Sequence, residues 1–259
     1  MLALIAGQGA LPLAVARAQD VPPLVWALEG FAPDGLTPDA EFRLETLGSA
    51  LAALKARGVT QVCLCGRIRR PQIDPARIDA ATAPLVPRLA QALALGDDGA
   101  LRIVIALFEE AGMAVLAAHE AAPGLLPPAG VPTRAAPGAG AEAAAAWGDR
   151  AIAAMGAGDL GQAAIVTAEG IAATETDAGT DALIAGHSGA GWLYKAPKPD
   201  QDRRADLPTI GPETARRVVD AGLEGIIVEA GGVMVLDLPQ VIETLDAAGR
   251  VLWVRERRG

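Results

Sequence analysis

The densest run of chemically useful side chains is Lys195-Ala-Pro-Lys198-Pro-Asp-Gln201-Asp202-Arg203-Arg204-Ala-Asp206-Leu-Pro208-Thr209-Ile-Gly211-Pro212. Its lysines and arginines suit the oxygens of a pyrophosphate, and its carboxylates suit a hard divalent ion such as Mg²⁺. Prolines 197, 199, 208 and 212 restrict the loop, which lowers the entropy cost of holding these groups in place. A merely solvated loop is more often rich in Gly and Ser. A second group, Glu175-Thr176-Asp177-Ala178-Gly179-Thr180-Asp181, stands beside an expected helix start. Its residues read either as further ligands or as an N-cap supplied by Asp177 or Thr180.

Two further groups lie in the N-terminal half. Gly7-Gln8-Gly9-Ala10-Leu11-Pro12 follows a short apolar run and precedes a helical pattern. At such a turn, backbone N–H groups and the helix dipole favour a phosphate. Glu29 closes the next apolar run where an acidic ribose reader would stand, but Pro12 replaces the third glycine of the dinucleotide fingerprint. The loop is read as a nucleotide contact or an ordinary tight turn, and a nicotinamide cofactor is disfavoured. Gly66-Arg67-Ile-Arg69-Arg70-Pro71 is expected at the same sheet edge, either holding phosphate oxygens or as a solvated basic turn. Cys63 and Cys65 flank Leu64 and are expected to be buried on one strand face, since no second pair completes a zinc site. His119 follows a strand end and is read as a ligand contact or a structural residue. No serine elbow, Walker A loop or kinase signature is present. These clusters point to metal-assisted chemistry at a phosphate.

Such residues need a frame to position them. Leu2–Ala6, Leu24–Leu28, Gln61–Cys65 and Met113–Ala118 read as strands, separated by helical patterns after Pro12, over Leu44–Arg57 and over Asp98–Ala111. That alternation implies crossover units on a Rossmann-like parallel sheet. Residues 126–148 are dominated by Pro, Gly and Ala and are expected to form a semi-stiff linker. It would join an N-terminal domain (1–125) to a C-terminal α/β domain (149–259). In the latter, Ala163–Thr167 and Ile171–Thr174 read as a hairpin, and Thr180–Ala185 as a short helix. Trp192–Ala196, Gly225–Glu229, Val233–Leu236 and Val251–Val254 read as strands, with helices from Pro212 and over Pro239–Ala248, giving a mixed sheet.

Composition bounds the answer further. The 259 residues suffice for one large or two compact domains. Acidic residues outnumber basic ones 31 to 22, for a formal net charge of −9, which argues against a general nucleic-acid binder. Apolar residues make up 51% of the chain, too many for disorder. The two cysteines cannot staple this length, no apolar run is long enough to span a bilayer, and Gly7 interrupts the first one early. A soluble, reduced, cytoplasmic protein is expected. Its basic end, Arg255-Glu-Arg-Arg258, is either a solvated tail or a contact for anionic lipid.

Met1 through Pro12, Gly66 through Pro71 with Gly96-Asp-Asp98, Gly179-Thr-Asp181, and Lys195 through Pro212 resemble, in order, the LpxI family. Those proteins are UDP-2,3-diacylglucosamine pyrophosphatases of lipid A biosynthesis in Gram-negative bacteria. The resemblance implies two α/β domains with the substrate between them. It implies Mg²⁺-dependent hydrolysis to UMP and 2,3-diacylglucosamine 1-phosphate (lipid X), with water attacking the α-phosphorus. Asp206 matches the family's essential aspartate and would bind the metal or orient the water, with Asp181 and Glu175 as further metal ligands. Lys195, Lys198, Gln201 and Arg203 would meet the pyrophosphate. Gly7, Gln8, Gly9, Ala10, Leu11 and Arg67 would line the nucleotide side, and His119, Gly179, Thr180, Pro208 and Thr209 complete the expected substrate contacts. Relatives carry glutamate directly before Gly-Thr-Asp, where this chain has Ala178. The family also implies a homodimer, and a two-chain lipid substrate implies transient contact with the inner-membrane surface. A non-catalytic carrier or sensor of a nucleotide-sugar lipid, or a Rossmann-type dinucleotide enzyme, are the alternatives.

Overall fold

The computed structural model describes residues 1–69, 73–156, 160–199, 202–204 and 206–257. The chain forms two compact units. One comprises Met1–Pro123 with Asp202–Asp206, and the other Gly124–Gln201 with Leu207–Gly259.

In the first unit β1 (Leu2–Ala6), α1 (Leu11–Arg17), β2 (Leu24–Leu28), β3 (Ala40–Phe42), α2 (Leu47–Ala56) and β4 (Gln61–Cys65) are followed by α3 (Val86–Ala94), α4 (Asp97–Glu110), β5 (Ala114–Leu116) and α5 (Ala118–Ala121). The strands are all parallel, in the order β3-β2-β1-β4-β5. Ala3, Ile5, Val62 and Leu64 enter one core with Leu51 and Leu54 of α2 and Ile105 and Phe108 of α4. The alternate residues Leu4, Ala6, Cys63 and Cys65 are buried as well. A strand covered on both faces has no polar positions, which is why these runs are continuously apolar. The Cys63 thiol beside it and burial push the Cys65 thiol up, so Cys65 is not poised as a nucleophile. β3 and α3 were not anticipated from the sequence.

The order of strands reverses its direction of winding between β1 and β4, and ligands of open α/β sheets bind outside the carboxyl ends at such a point. Here the chain is tightly built. Gly66 has φ +92°, and a Cβ added to it would lie 2.4 Å from the carbonyl oxygen of Gly7. Gly66→Ala is therefore expected to destabilise the chain by about 3 kcal/mol, from left-handed strain plus overpacking. Gly30→Ala is the control, because φ there is +84° but nothing lies within 4 Å of the added carbon. It should lose only about 1–2 kcal/mol in urea unfolding, for the dihedral alone. Equal losses at the two positions would mean that the close approach to Gly7 is unimportant.

The second unit contains α6 (Ala141–Gly156), β6 (Ala163–Val166), β7 (Ile171–Thr174), α7 (Gly179–Ala185), β8 (Trp192–Lys195), β9 (Thr209–Ile210), α8 (Pro212–Asp220), β10 (Gly225–Glu229), β11 (Met234–Val235), α9 (Leu238–Ala247) and β12 (Val251–Arg255). Its main sheet has the order β12-β10-β8-β6-β7 and is mixed. β8, β10 and β12 run parallel, and β6 is antiparallel to both β7 and β8. Alternation sorts its residues to two cores. Ile165, Leu193, Ile226 and Leu252 face α7, α8 and α9, whereas Ala164, Trp192, Tyr194 and Ile227 face α6. The expected mixed α/β layout is present, with two differences. The Pro/Gly/Ala-rich stretch expected to be linker as far as 148 is helical from Ala141. Its alanines and Gly148 are small enough to let α6 approach the Tyr194 ring, where a Cβ at 148 would lie 2.2 Å from the ring carbons. The polar loop after β8 also contains a strand, β9, paired in parallel with β11. Among the described residues, no helix is long and apolar enough to cross a membrane.

Candidate active site

At the switch point of the first unit, the loops following β1 and β4 are bonded to each other. Gly7 N–H donates to Cys65 O at 2.8 Å, Gln8 N–H to Arg67 O at 2.9 Å, and Arg67 N–H to Gln8 O at 2.8 Å. The glycine loop reads from its sequence as either a row of amides for phosphate or an ordinary tight turn. Two of those amides, at Gly7 and Gln8, instead brace the loop. Gly9, Ala10 and Leu11 remain at the start of α1, and the side chains of Gln8 and Arg67 are exposed at the sheet edge. Glu29, the expected ribose reader, accepts from Arg43 at 2.9 Å, and the same guanidinium reaches the buried Glu45 at 3.2 Å. The following Arg70 and Pro71 lie outside the described residues.

His119 sits in α5, half-buried, with a buried Nδ1 that has no hydrogen-bond partner among the described residues. Burial, aided by the Arg203 cation and opposed by Glu120, holds its pKa below the usual imidazole range. A neutral ring at neutral pH follows. Arg203 is exposed, and Asp206, at the end of the Asp202–Asp206 segment of this unit, is half-buried.

In the second unit the parallel strands β8, β10 and β12 end in Lys195, Glu229 and Arg255. Each is about as buried as the apolar residues before it, at 8% exposure. Lys195 Nζ donates to Thr180 Oγ1 at 2.8 Å, the Thr180 hydroxyl donates to Glu175 Oε1 at 2.5 Å, and Gln162 N–H donates to Glu175 Oε2 at 2.5 Å. Glu175, at the end of β7, thus reaches the Thr180 hydroxyl of α7 across the position where Ala178 departs from the family pattern. Lys198 follows the buried Pro197 and lies against the end of α6, where Gly156 leaves room for Pro199. Pro208 is buried and its carbonyl accepts from Met234 N–H at 2.9 Å, while Thr209 opens β9. Gln201 lies outside the described residues.

The residues expected to hold Mg²⁺ differ in fitness. Among the described residues, no three His, Cys, Asp or Glu side chains gather into a metal site. Both oxygens of Glu175 accept N–H or O–H donors, and a lysine ammonium lies on the same hydroxyl, so a second cation there would meet repulsion. Glu175 does not fit the metal role. Asp181 is exposed and faces Arg217 at 3.5 Å. Asp206 fits as a lone protein ligand, because Mg²⁺ commonly takes one or two carboxylates and completes its shell with water and substrate phosphate.

The second unit holds two further charged groups that the sequence analysis does not single out. Glu229 ends a wholly apolar strand in a charge, as Lys195 does, and that shared pattern could have found it. Asp149 on α6 accepts from the Tyr194 hydroxyl at 2.5 Å and from Arg255 at 2.9 Å. Burial first, then this carboxylate, push the Tyr194 phenol up. No local motif announces that cluster.

Comparison with known proteins places both halves together. Residues 1–125 match the family model described as the LpxI N-terminal domain, and residues 128–253 the LpxI C-terminal domain. The chain is 34% identical to the UDP-2,3-diacylglucosamine pyrophosphatase LpxI of Caulobacter vibrioides, over 96% of this chain and 95% of that protein. The chain belongs to the LpxI family.

Proposed function

We propose that this chain hydrolyses the pyrophosphate bond of UDP-2,3-diacylglucosamine to UMP and 2,3-diacylglucosamine 1-phosphate in lipid A biosynthesis. The observation that carries the reading is the full-length likeness to the Caulobacter vibrioides pyrophosphatase. The Lys195–Thr180–Glu175 chain supports it, since it presents a fixed cation at a carboxyl sheet edge. In this reading Lys195, Lys198 and Arg203 neutralise the pyrophosphate, Gln201 hydrogen-bonds it, and Gly9, Ala10, Leu11 and Arg67 meet the nucleotide. Asp206 orients the attacking water or holds Mg²⁺. Mg²⁺, if bound, would be held by Asp206 and would supply Lewis-acid charge neutralisation at phosphorus. Neutral His119, with its buried Nδ1, serves as a hydrogen-bonding contact rather than a second cation. The substrate's acyl chains favour the bilayer by about 0.8 kcal/mol per buried CH₂, so a cytoplasmic homodimer meets it at the inner-membrane surface.

The test is mass spectrometry of products formed from UDP-2,3-diacylglucosamine, Mg²⁺ and H₂¹⁸O. Label in UMP with unlabelled lipid product is expected, for attack at the α-phosphorus. Label in the lipid product instead would move the attack to the other phosphorus. Tight binding without products would favour a carrier or sensor.

A further inference from the structure

Two sequence features that the proposed chemistry does not use meet in the first unit. Asp98, in the first turn of α4, and Asp202 are 104 residues apart, yet Asp202 N–H donates to Asp98 Oδ1 at 2.8 Å. The other oxygen of Asp98 accepts from Arg102 at 2.7 Å, one turn further along the helix. Arg204 clasps Asp202 in two-pronged fashion, Nε to Oδ1 at 3.1 Å and Nη2 to Oδ2 at 2.8 Å. Its third guanidinium nitrogen reaches Glu109 Oε1, in the last turn of α4, at 2.8 Å. The first and last turns gripped in this way are about 16 Å apart along the helix axis. Two grips so far apart fix the direction of a segment as well as its place. Asp206 follows Arg204 by only two residues, so its Cα stays within about 7 Å of that of Arg204.

We infer that Asp98, Glu109 and Arg204 are positioning residues for Asp206, docking Asp202 and Arg204 along one face of α4 and setting the orientation from which the Asp206 carboxylate acts. The inference rests on the proposed hydrolysis, with Asp206 as its carboxylate. Two carboxylates of the clamp are held ionised. Arg204 and its N–H lower Asp202 below the usual range against burial, and at Asp98 burial opposes ionisation but Arg102 and the Asp202 N–H outweigh it. Partly exposed ion pairs of this kind add little to global stability, so their removal should be felt in the segment and spare the fold.

The experiment compares the full chain with Asp98→Ala, Asp98→Asn and Arg204→Ala, using UDP-2,3-diacylglucosamine as substrate and hydrogen exchange of residues 202–206 as a second readout. Asp98→Ala and Arg204→Ala are expected to lose roughly 10–100-fold in kcat through misplacement, with KM within about threefold. Amide exchange in the segment should rise about tenfold while the core amides keep their protection. Asp98→Asn keeps an oxygen that accepts the Asp202 N–H and should retain most of kcat. Wild-type kcat in Asp98→Ala and Arg204→Ala overturns the inference, as does unchanged exchange in the segment. Equal losses in Asp98→Ala and Asp98→Asn overturn it too, since the acceptor would then not matter. A wild-type chain that does not hydrolyse the substrate overturns the hydrolase reading, and the inference falls with it; failure of the inference alone shows against an active wild type. Should Asp98→Ala not fold, Glu109→Ala, which removes the acceptor of Arg204 from an exposed side chain, applies the same test at the other grip.

Discussion

Replacing Asp206 by alanine is expected to lower turnover of UDP-2,3-diacylglucosamine by about 10²–10⁴-fold, the range for a positioned acid–base group. The fold should persist, because Asp206 is half-buried and belongs to none of the three hydrophobic cores. Asp206→Asn keeps the shape but removes the charge, and should be nearly as inactive whether the carboxylate orients water or holds Mg²⁺. Metal dependence separates those two roles. Chelation with EDTA is expected to abolish wild-type turnover, with recovery on added Mg²⁺. If Asp206 holds the ion, residual activity of Asp206→Asn should require a higher Mg²⁺ concentration for half-saturation. An unchanged requirement would leave Asp206 to the water alone. Alanine at 206 with a wild-type rate would remove this residue from the mechanism, and full turnover without any divalent ion would remove Mg²⁺.

How much of this was legible beforehand depends on the distance over which each feature is determined. Lys195 stood out because a charge closes an otherwise apolar strand and a proline-restrained loop follows; both signals are local. The Rossmann-like half was readable for the same reason, since continuous apolar runs alternate with helical periods. The glycine loop was only partly readable. Its type and place are local, but the loss of the Gly7 and Gln8 amides to Cys65 and Arg67 depends on pairing with another strand's loop. Glu175 stands out in the sequence only as a metal ligand, and the role it has instead depends on α7 turning Thr180 back onto it. Helix α6 was hidden by composition. An Ala-rich stretch reads as linker until Tyr194 and the neighbouring strand residues give its small side chains something to pack against. Asp98 and Asp202 illustrate the limit most plainly, since each falls in a motif that stands out in the sequence but nothing local says that the fold joins them.

The Lys195–Thr180–Glu175 chain makes a prediction in which activity and stability move in opposite order. Lys195→Met keeps the length and apolar stem of the side chain but deletes the cation. Loss of one preorganised charge-stabilising donor costs about 10²–10³-fold in kcat. Glu175 keeps its Thr180 and Gln162 donors in this variant, so the loss of stability should be small beside the loss of turnover. Thr180→Val is nearly isosteric, but it strips the donor from Glu175 Oε1 and an acceptor from the buried lysine. Unpaired groups of this kind cost about 1–3 kcal/mol, readable as a lower urea midpoint. Its turnover should fall only about tenfold, because the cation is still present though less well held. Thr180→Ser restores the hydroxyl and should recover most of both quantities. The crossing is the informative part. If Thr180→Val matched Lys195→Met in lost turnover with its stability intact, the hydroxyl would be touching substrate directly. Thr180 would then be a binding group in its own right, and Glu175 would be orienting that hydroxyl rather than the lysine.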